Sequence, residues 1–576
     1  MIPHRLNYLS PLYSTDPEKI AARHETDSDD SRFRRPILEK LPTQFAMPVA
    51  NHYADLYQRE GRRIANYYLL DVKDDLSKFI INLSSSDDEI ICAAQKLAAR
   101  CKRLRYLAKE DETAYYAIWQ LVSEHYHIDI STLRKKLFKL DTDTKGVLNR
   151  LCDEHWWRRT IRKVHVRNVE DHAIRSGLVH RNAGIYISDI SFERHQQQQR
   201  RNLKMLENSI AVNQTTGDEL TLLELAQKSL SNPKCRRAEL MVRISGFETL
   251  SRELDHIAMF YTITCPSKMH AFKTGANSSG KTTSTRNPKY NNTTPHVAQK
   301  YLTKLWAQMR AKLKRDGLNY YGFRVTEAHH DGTPHWHLLV FMNPECELAI
   351  TKIIKDYALR EDADEDGAAK YRFKAEKINP NKGSATGYIA KYIAKGLDGF
   401  GLEVDLYGEN AKNSAQRTRG WASTWGIRQF QQLGGPPVTI YRELRRIKGS
   451  ELKGLIEGVW QAADSGDWHQ FVKLLGGPTI QRKDYVITIS KQWNDKPNRY
   501  QEPTGYQIIG VNWGRVVITT RICQWKIEYR KQVNQNLSIQ IDSALPNFEH
   551  NLDCEGFDEA FRPPWSSVNN CTELLK

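Results

Sequence analysis

Two histidines two residues apart, His335 and His337, flank Trp336 ahead of the apolar run Leu338-Leu339-Val340-Phe341. Strand side chains alternate between faces, so a strand here projects both imidazoles from one face and sends Trp336 to the other. Two imidazoles on one rigid face supply two-thirds of a facial divalent-metal site, and the apolar run suits a buried central strand. Just upstream, Asp331-Gly332 is a hairpin signal. A two-residue turn centred there puts Thr326 opposite His337 and turns Glu327 to the wrong face. A three- or five-residue loop puts Glu327 opposite His337 and His329 opposite His335. Pro334 cannot donate to a ladder and favours the longer loop. The set this selects is Glu327, His335 and His337, with His329 in reserve. Alone, a His-x-His pair more often marks packed or surface histidines.

A second group changes that weighting. Gly387-Tyr388-Ile389-Ala390-Lys391-Tyr392-Ile393-Ala394-Lys395-Gly396 repeats Tyr-Ile-Ala-Lys in tandem. Helix positions i and i+4 are neighbours, so Tyr388 and Tyr392 present two phenols side by side, and Ile389 and Ile393 form an adjacent packing stripe. A phenol with its usual pKa near ~10 is a poor nucleophile. It becomes useful against a phosphodiester when a metal polarises the phosphate and ammonium groups offset the charge. Lys391 and Lys395 can supply the ammonium groups. A lone Tyr-x-x-x-Tyr on a helix usually signals packing. Beside a His-x-His strand in one compact unit, it completes a phosphodiester-cleaving site.

The elements that must position these groups lie between 255 and 400. Ile257–Thr264 has a buried-strand pattern, followed by a Ser/Thr/Asn/Gly-rich loop over 272–294. Thr294 and Pro295 open a helix that runs to Arg315. Tyr320–Ala328 and His335–Met342 form the hairpin, Cys346–Arg360 a helix, Tyr371–Ile378 a strand, and Ser384–Lys395 a helix closed by Gly396. The first six elements give a split βαβ arrangement, βαββαβ, on one antiparallel sheet. The expected class is α+β: a ferredoxin-like nuclease domain over 255–400, flanked by largely helical N-terminal regions and a mixed C-terminal region. Before it come a flexible arm over 1–50, a helical domain over 51–150, with helices expected over Ala50–Leu70 and Leu133–Leu140, and a basic helical domain over 151–254, with one expected over Ala211–Leu230. The mixed region covers 401–576.

Composition narrows the partners. The chain has 576 residues, too many for one core, and 40% apolar content. No apolar run approaches the ~20 residues that span a bilayer, and Met1–Leu6 lacks a secretory segment, so the expectation is a cytoplasmic protein without membrane contact. Net charge is +17, from 85 Lys+Arg against 68 Asp+Glu, which favours a polyanionic partner such as nucleic acid. The nine cysteines show no Cys-x-x-Cys and read as reduced thiols. Two segments mix aromatics with cations, as a surface that stacks bases and meets phosphates requires. One holds Trp156, Trp157, Arg158 and Arg159; the other holds Arg417, Arg419, Trp421, Trp425 and Arg428. The bland alternative is core tryptophans with solvated arginines. Two further motifs are decoys. Gly275–Thr282 matches a phosphate-binding loop but lacks the strand directly before it and the helix directly after. Glu361–Gly367 resembles the start of a calcium loop whose last ligand would be Phe373.

Taken together, these residues resemble a known family. Glu327-Ala-His-His-Asp-Gly-Thr-Pro-His-Trp-His-Leu-Leu is similar to the His-hydrophobic-His motif of HUH endonucleases. Phe260–His270 resembles their first motif, and Gly387–Gly396 their two-tyrosine motif. The wording is closest to the replication gene A proteins of temperate tailed bacteriophages, which start rolling-circle replication. Trp156-Trp157-Arg158-Arg159, Trp421–Phe430 and Trp565–Cys571 share in the resemblance, which spans roughly 150 to 571. It implies Mg²⁺ or Mn²⁺ on His335, His337 and Glu327, with single-stranded DNA of a replication origin as substrate. One tyrosine attacks and forms a 5′-phosphotyrosyl adduct, and the other makes the second cut. A host helicase and a host DNA polymerase are the implied partners. Other readings stay open: a relaxase, a two-tyrosine transposase, or a non-catalytic origin-binding protein.

Overall fold

The computed structural model describes residues 16–529 apart from 26–29, 78–80, 277–281, 405–409, 448–451 and most of 127–143. The centre of the phosphate-loop look-alike, most of the helix expected over Leu133–Leu140 and the Trp565–Cys571 motif lie outside the described residues. Within them the protein is a mixed α+β structure with several small sheets. No helix among the described residues is long and apolar enough to cross a membrane.

The sheet that carries the histidines has five antiparallel strands. In spatial order they are Phe373–Lys377, Ile257–Ile263, Pro334–Met342, Tyr321–Ala328 and Phe430–Leu433. The central histidine strand is buried along its whole length. Residue alternation divides the core in two. Phe260, Phe323, Val325, Leu339 and Phe341 face the helices Pro233–Glu253 and Ala385–Leu397. Tyr261, Trp336, Leu338 and Val340 face Pro295–Arg315 and Glu347–Ala358. Trp336 thus points away from its two flanking histidines, as strand alternation requires. Pro295–Arg315 starts where the sequence signals it: the Thr294 side chain accepts from Val297 N–H, and Pro295 occupies the first turn.

Helices surround this unit. Ser31–Leu38, Thr43–Glu60 and Arg62–Ser77 share a core with Glu154–Arg175 and Ala411–Trp425. Asp87–Leu107, Asp111–Tyr126 and Thr144–Leu151 pack around Trp157 and Ile161. On the C-terminal side, Leu455–Asp464 and Trp468–Leu474 join the core behind Pro233–Glu253.

Several expectations need correction. The charge-rich stretch around Arg32–Pro36 is helix, not flexible arm: Arg34 is buried and bridged to Glu18 at 2.7 Å and Glu25 at 2.9 Å. Ala50–Leu70 is two helices that part at Gly61, whose φ of +86° no helix accommodates. A helix expected over Ala211–Leu230 is instead the strand Ser209–Asn213, a turn, the short strand Glu219–Thr221 and the helix Leu222–Gln227. Ser209–Asn213 also pairs with Trp525–Tyr529, from the far end of the described chain. The loop over 272–294 contains a hairpin, Phe272–Ala276 against Thr282–Arg286. The tyrosine helix extends past Gly396 to Leu397.

Candidate active site

Hairpin register sets the site. The loop is His329–Thr333, five residues closed by His329 N–H donating to Thr333 carbonyl at 2.8 Å and Gly332 N–H to His329 carbonyl at 2.9 Å. Glu327 lies opposite His335, and Val325 opposite His337. The register is therefore two residues from the expected one: Glu327 does not pair with His337, nor His329 with His335. A slip of two preserves the face, because side chains repeat every second residue. Glu327, His335 and His337 still converge.

All three are buried, and one ligand atom from each lies within 4.8 Å of the others. Glu327 Oε2 is 3.6 Å from His335 Nε2 and 3.4 Å from His337 Nε2, and the two Nε2 atoms are 3.0 Å apart. Glu327 Oε1 and His335 Nδ1 are buried with no hydrogen-bond partner among the described residues. Burial pushes the Glu327 carboxyl up, but Lys395 and His337 outweigh it and hold the group below the usual carboxylate range. Burial, with His329 and His337 nearby, holds His335 well below the ordinary imidazole value, so its ring is neutral with a lone pair to give. This is a donor set of two imidazoles and a carboxylate, which fits a divalent cation. Thr262, on the neighbouring strand, meets His337 Nδ1 at 3.0 Å and so leaves Nε2 directed at Glu327. His329 is half-buried in the loop, its ring 4.0 Å from that of His335 and its Nε2 without a hydrogen-bond partner among the described residues. His270 and Asp331 form a neighbouring pair at 3.2 Å.

The tyrosine helix crosses the same face. Ile389 and Ile393 are buried in the core beneath it. The Tyr392 ring lies 4.2 Å from the His337 ring, and both tyrosines pack on Phe260. Lys395 is buried, with Nζ 3.5 Å from Glu327 Oε2. Lys391 is exposed, its Nζ 4.8 Å from the Tyr388 ring centre and 5.0 Å from that of Tyr392. Tyr388 donates its hydroxyl hydrogen to Glu376 on the edge strand. Burial and Glu376 push Tyr388 up to about 12, and burial and Glu327 push Tyr392 up further. Both stand as neutral phenols in this setting.

Several positioning residues escaped the sequence reading. Glu248 accepts from Ala385 N–H at 3.1 Å and Thr386 N–H at 2.9 Å, anchoring the start of the tyrosine helix, where the helix dipole favours an anion. Gln429 donates to Gly396 carbonyl at 3.4 Å near its end. The histidine loop is gripped from outside the sheet. Trp421 Nε1 donates to Gly332 carbonyl at 2.8 Å, and Tyr186 N–H to His330 carbonyl at 3.3 Å. Gly332, at φ +82°, lies so close to Tyr186 that an added Cβ would come 3.1 Å from its carbonyl oxygen.

The proposed DNA-contacting residues separate into two kinds. Trp157 is fully buried and donates to Leu151 carbonyl at 2.6 Å, with Trp156 packed edge-on against it. Arg417 is also buried: it donates to the carbonyls of Ile185 at 3.0 Å and Ile187 at 2.6 Å and pairs with Asp189 at 2.7 Å. Neither is available to a strand of DNA; both hold helices together. Arg158 and Arg419 are half-buried, whereas Arg159 and Arg428 are exposed. Arg159 also donates to the Tyr500 hydroxyl at 3.2 Å.

Fold and site define a class: a mixed α+β protein that sets a buried carboxylate–imidazole cluster against a two-tyrosine helix. The chain belongs to the bacteriophage replication gene A protein (GPA) family, whose model matches residues 88–400. It is 39% identical over 453 residues to the replication gene A protein of Escherichia phage 186, covering 76% of this chain and 61% of that one. It is 34% identical over 443 residues to the replication gene A protein of Escherichia phage P2, covering 74% and 55%. A probable replication endonuclease from a prophage-like region of Salmonella paratyphi A is 33% identical over 456 residues, covering 76% and 54%. The chain therefore spans little more than half the length of these relatives. No solved structure matches it.

Proposed function

We propose that the chain is a metal-dependent DNA nicking and strand-joining enzyme that initiates rolling-circle replication of a phage or prophage in the host cytoplasm. The observation that carries this reading is one sheet face bearing Glu327, His335 and His337 beneath the two-tyrosine helix, with Tyr392 4.2 Å from His337 between ring centres. The spatial order of the first four strands, fourth-first-third-second, supports a ferredoxin-like HUH unit to which Phe430–Leu433 adds an edge strand.

Glu327, His335 and His337 would hold Mg²⁺ or Mn²⁺. Bound there, the ion would polarise the scissile phosphate and offset its charge. The chemistry of the side chains follows from their contacts. One tyrosine loses its hydroxyl proton as its oxygen attacks phosphorus. The bond from phosphorus to the 3′ oxygen breaks, and that oxygen takes up a proton. This leaves a free 3′-hydroxyl and a 5′-phosphotyrosyl link. At Tyr388 the departing proton goes to Glu376, already its hydrogen-bond acceptor. Lys391, beside both rings, offsets charge on the phosphate oxygens. A host DNA polymerase extends the 3′ end while a host helicase unwinds the duplex. The second tyrosine then cuts the regenerated origin. The released 3′-hydroxyl attacks the first phosphotyrosyl link, closing the circle and restoring the phenol.

The test is incubation with labelled single-stranded DNA and Mg²⁺ or Mn²⁺. A protein–DNA adduct that survives denaturant is expected. Its absence across diverse sequences, or an undiminished adduct in Tyr388→Phe/Tyr392→Phe, overturns the proposal.

A further inference from the structure

A cationic groove opens at the edge of the sheet, next to the site but separate from it. Its volume is about 560 Å³, within the range that holds a nucleotide-sized ligand. The floor is the edge strand Phe430–Leu433, and the walls come from the helices Pro233–Glu253 and Val438–Leu444. Four guanidiniums line it, those of Arg236, Arg243, Arg428 and Arg442, against one carboxylate, Glu239. Arg442 spends its charge on Glu239 through two bonds of 2.9 and 2.6 Å, and Arg243 approaches the same carboxylate at 3.1 Å. Arg236 and Arg428 are exposed, and among the described residues neither forms an ion pair with a carboxylate. Arg236 lies over the Phe430 ring at 5.5 Å, while Arg428 Nε donates to Phe430 carbonyl, at the start of the edge strand, at 3.2 Å. Gathering like charges around one cavity is costly unless an anion offsets them.

The groove adjoins the site through Phe430. Phe430 pairs with Val325, two residues along the strand from Glu327, or about 7 Å at strand rise. Phe430 also touches the end of the tyrosine helix, where a Cβ on Gly396 would come within 2.8 Å of its ring. We infer that this groove binds phosphodiesters of single-stranded DNA flanking the scissile position, with Arg236 and Arg428 as the phosphate-contacting groups and the Phe430 ring beside them. The inference rests on the nicking reading for the identity of the strand. The shared chemistry, a phosphate on paired guanidiniums, would equally suit a free mononucleotide, so the test separates the two.

The experiment is fluorescence anisotropy of the full chain with oligonucleotides that extend different distances from one labelled end, across a salt series. Arg236→Gln/Arg428→Gln removes two phosphate contacts. The slope of log affinity against log salt should fall by about 1.4 for a single strand, so the wild-type advantage shrinks about sevenfold between 50 and 200 mM salt. The gain in affinity from a longer strand should shrink as well. Arg236→Lys/Arg428→Lys should restore the slope, because it keeps the charge and loses only the fork. An unchanged slope and unchanged length dependence in the Gln variant overturn the inference. So does a mononucleotide that binds tightly and displaces no DNA. Adduct formation is scored separately. Loss of DNA affinity in a protein that forms no adduct keeps the groove and removes the nuclease.

Discussion

Glu376→Gln, made in a Tyr392→Phe background so that only Tyr388 can attack, separates two ways of activating a phenol. Glu376 acts on Tyr388 in opposite directions. It accepts the hydroxyl hydrogen, and it also repels the phenolate, helping burial to raise Tyr388 to about 12. At pH 8 such a group is ionised in about one molecule in 10⁴. Replacing the carboxylate by an amide removes the repulsion but not the burial, so the pKa moves part of the way back toward ~10, which raises the phenolate population by less than about 100-fold. If attack drew on preformed phenolate, the variant would be faster. If Glu376 takes the proton during attack, the variant loses about 10²- to 10⁴-fold. The second outcome is expected. The assay is single-turnover adduct formation on single-stranded DNA from pH 6 to 9. Lys374 and the Tyr388 bond hold Glu376 below the ordinary carboxylate range, so it is already ionised throughout this window. With Glu376 present the rate is flat with pH. With Gln it should climb about tenfold per pH unit, as phenolate becomes the sole nucleophile. A variant that is as fast as its parent, or faster, refutes Glu376 as proton acceptor.

Other perturbations follow from contacts already described. Thr262→Val removes the partner of His337 Nδ1 and should weaken Mn²⁺ binding about 10- to 100-fold by calorimetry, with the fold intact by circular dichroism. Trp157→Ala should cost about 3–5 kcal/mol in urea unfolding and leave DNA affinity of the folded protein unchanged, since the ring is core. Trp421→Phe strands the Gly332 carbonyl and should cost about 1–3 kcal/mol, with faster amide exchange in the histidine loop. Glu248→Ala removes two bonds to the start of the tyrosine helix, and should cost about 1.5–3 kcal/mol and slow adduct formation at both tyrosines.

Local periodicity made the central unit legible. The strand alternation around Trp336 and the Ile389/Ile393 stripe each appear in the structure on the face that residue spacing assigns them. Face, which depends only on parity, was readable, whereas register was not. The five-residue loop puts Glu327 against His335 because backbone bonds inside His329–Thr333, and grips from Tyr186 and Trp421, select one loop conformation among several of odd length. The edge strand Phe430–Leu433 is four residues with two central glutamines, too short and polar to show a period. Ser209–Asn213 belongs to a sheet completed more than 300 residues later, a pairing no local pattern encodes. Trp157 and Arg417 looked like nucleic-acid contacts because composition does not report burial. An arginine that ties backbone carbonyls together and one that meets phosphate are the same letter.

The outside grip on the histidine loop bears on modularity. The donors and tyrosines all fall between residues 255 and 400, which reads like a cassette that could be cut out or recombined. Yet the turn that aligns Glu327 with His335 is held by Tyr186 from before this span and by Trp421 from after it. A fragment cut at those borders would carry every reactive group and leave behind the clamp that aims them. The smallest transplantable unit is therefore larger than the reactive one, and its limits are set by the Tyr186 loop and the Trp421 helix that hold one five-residue turn.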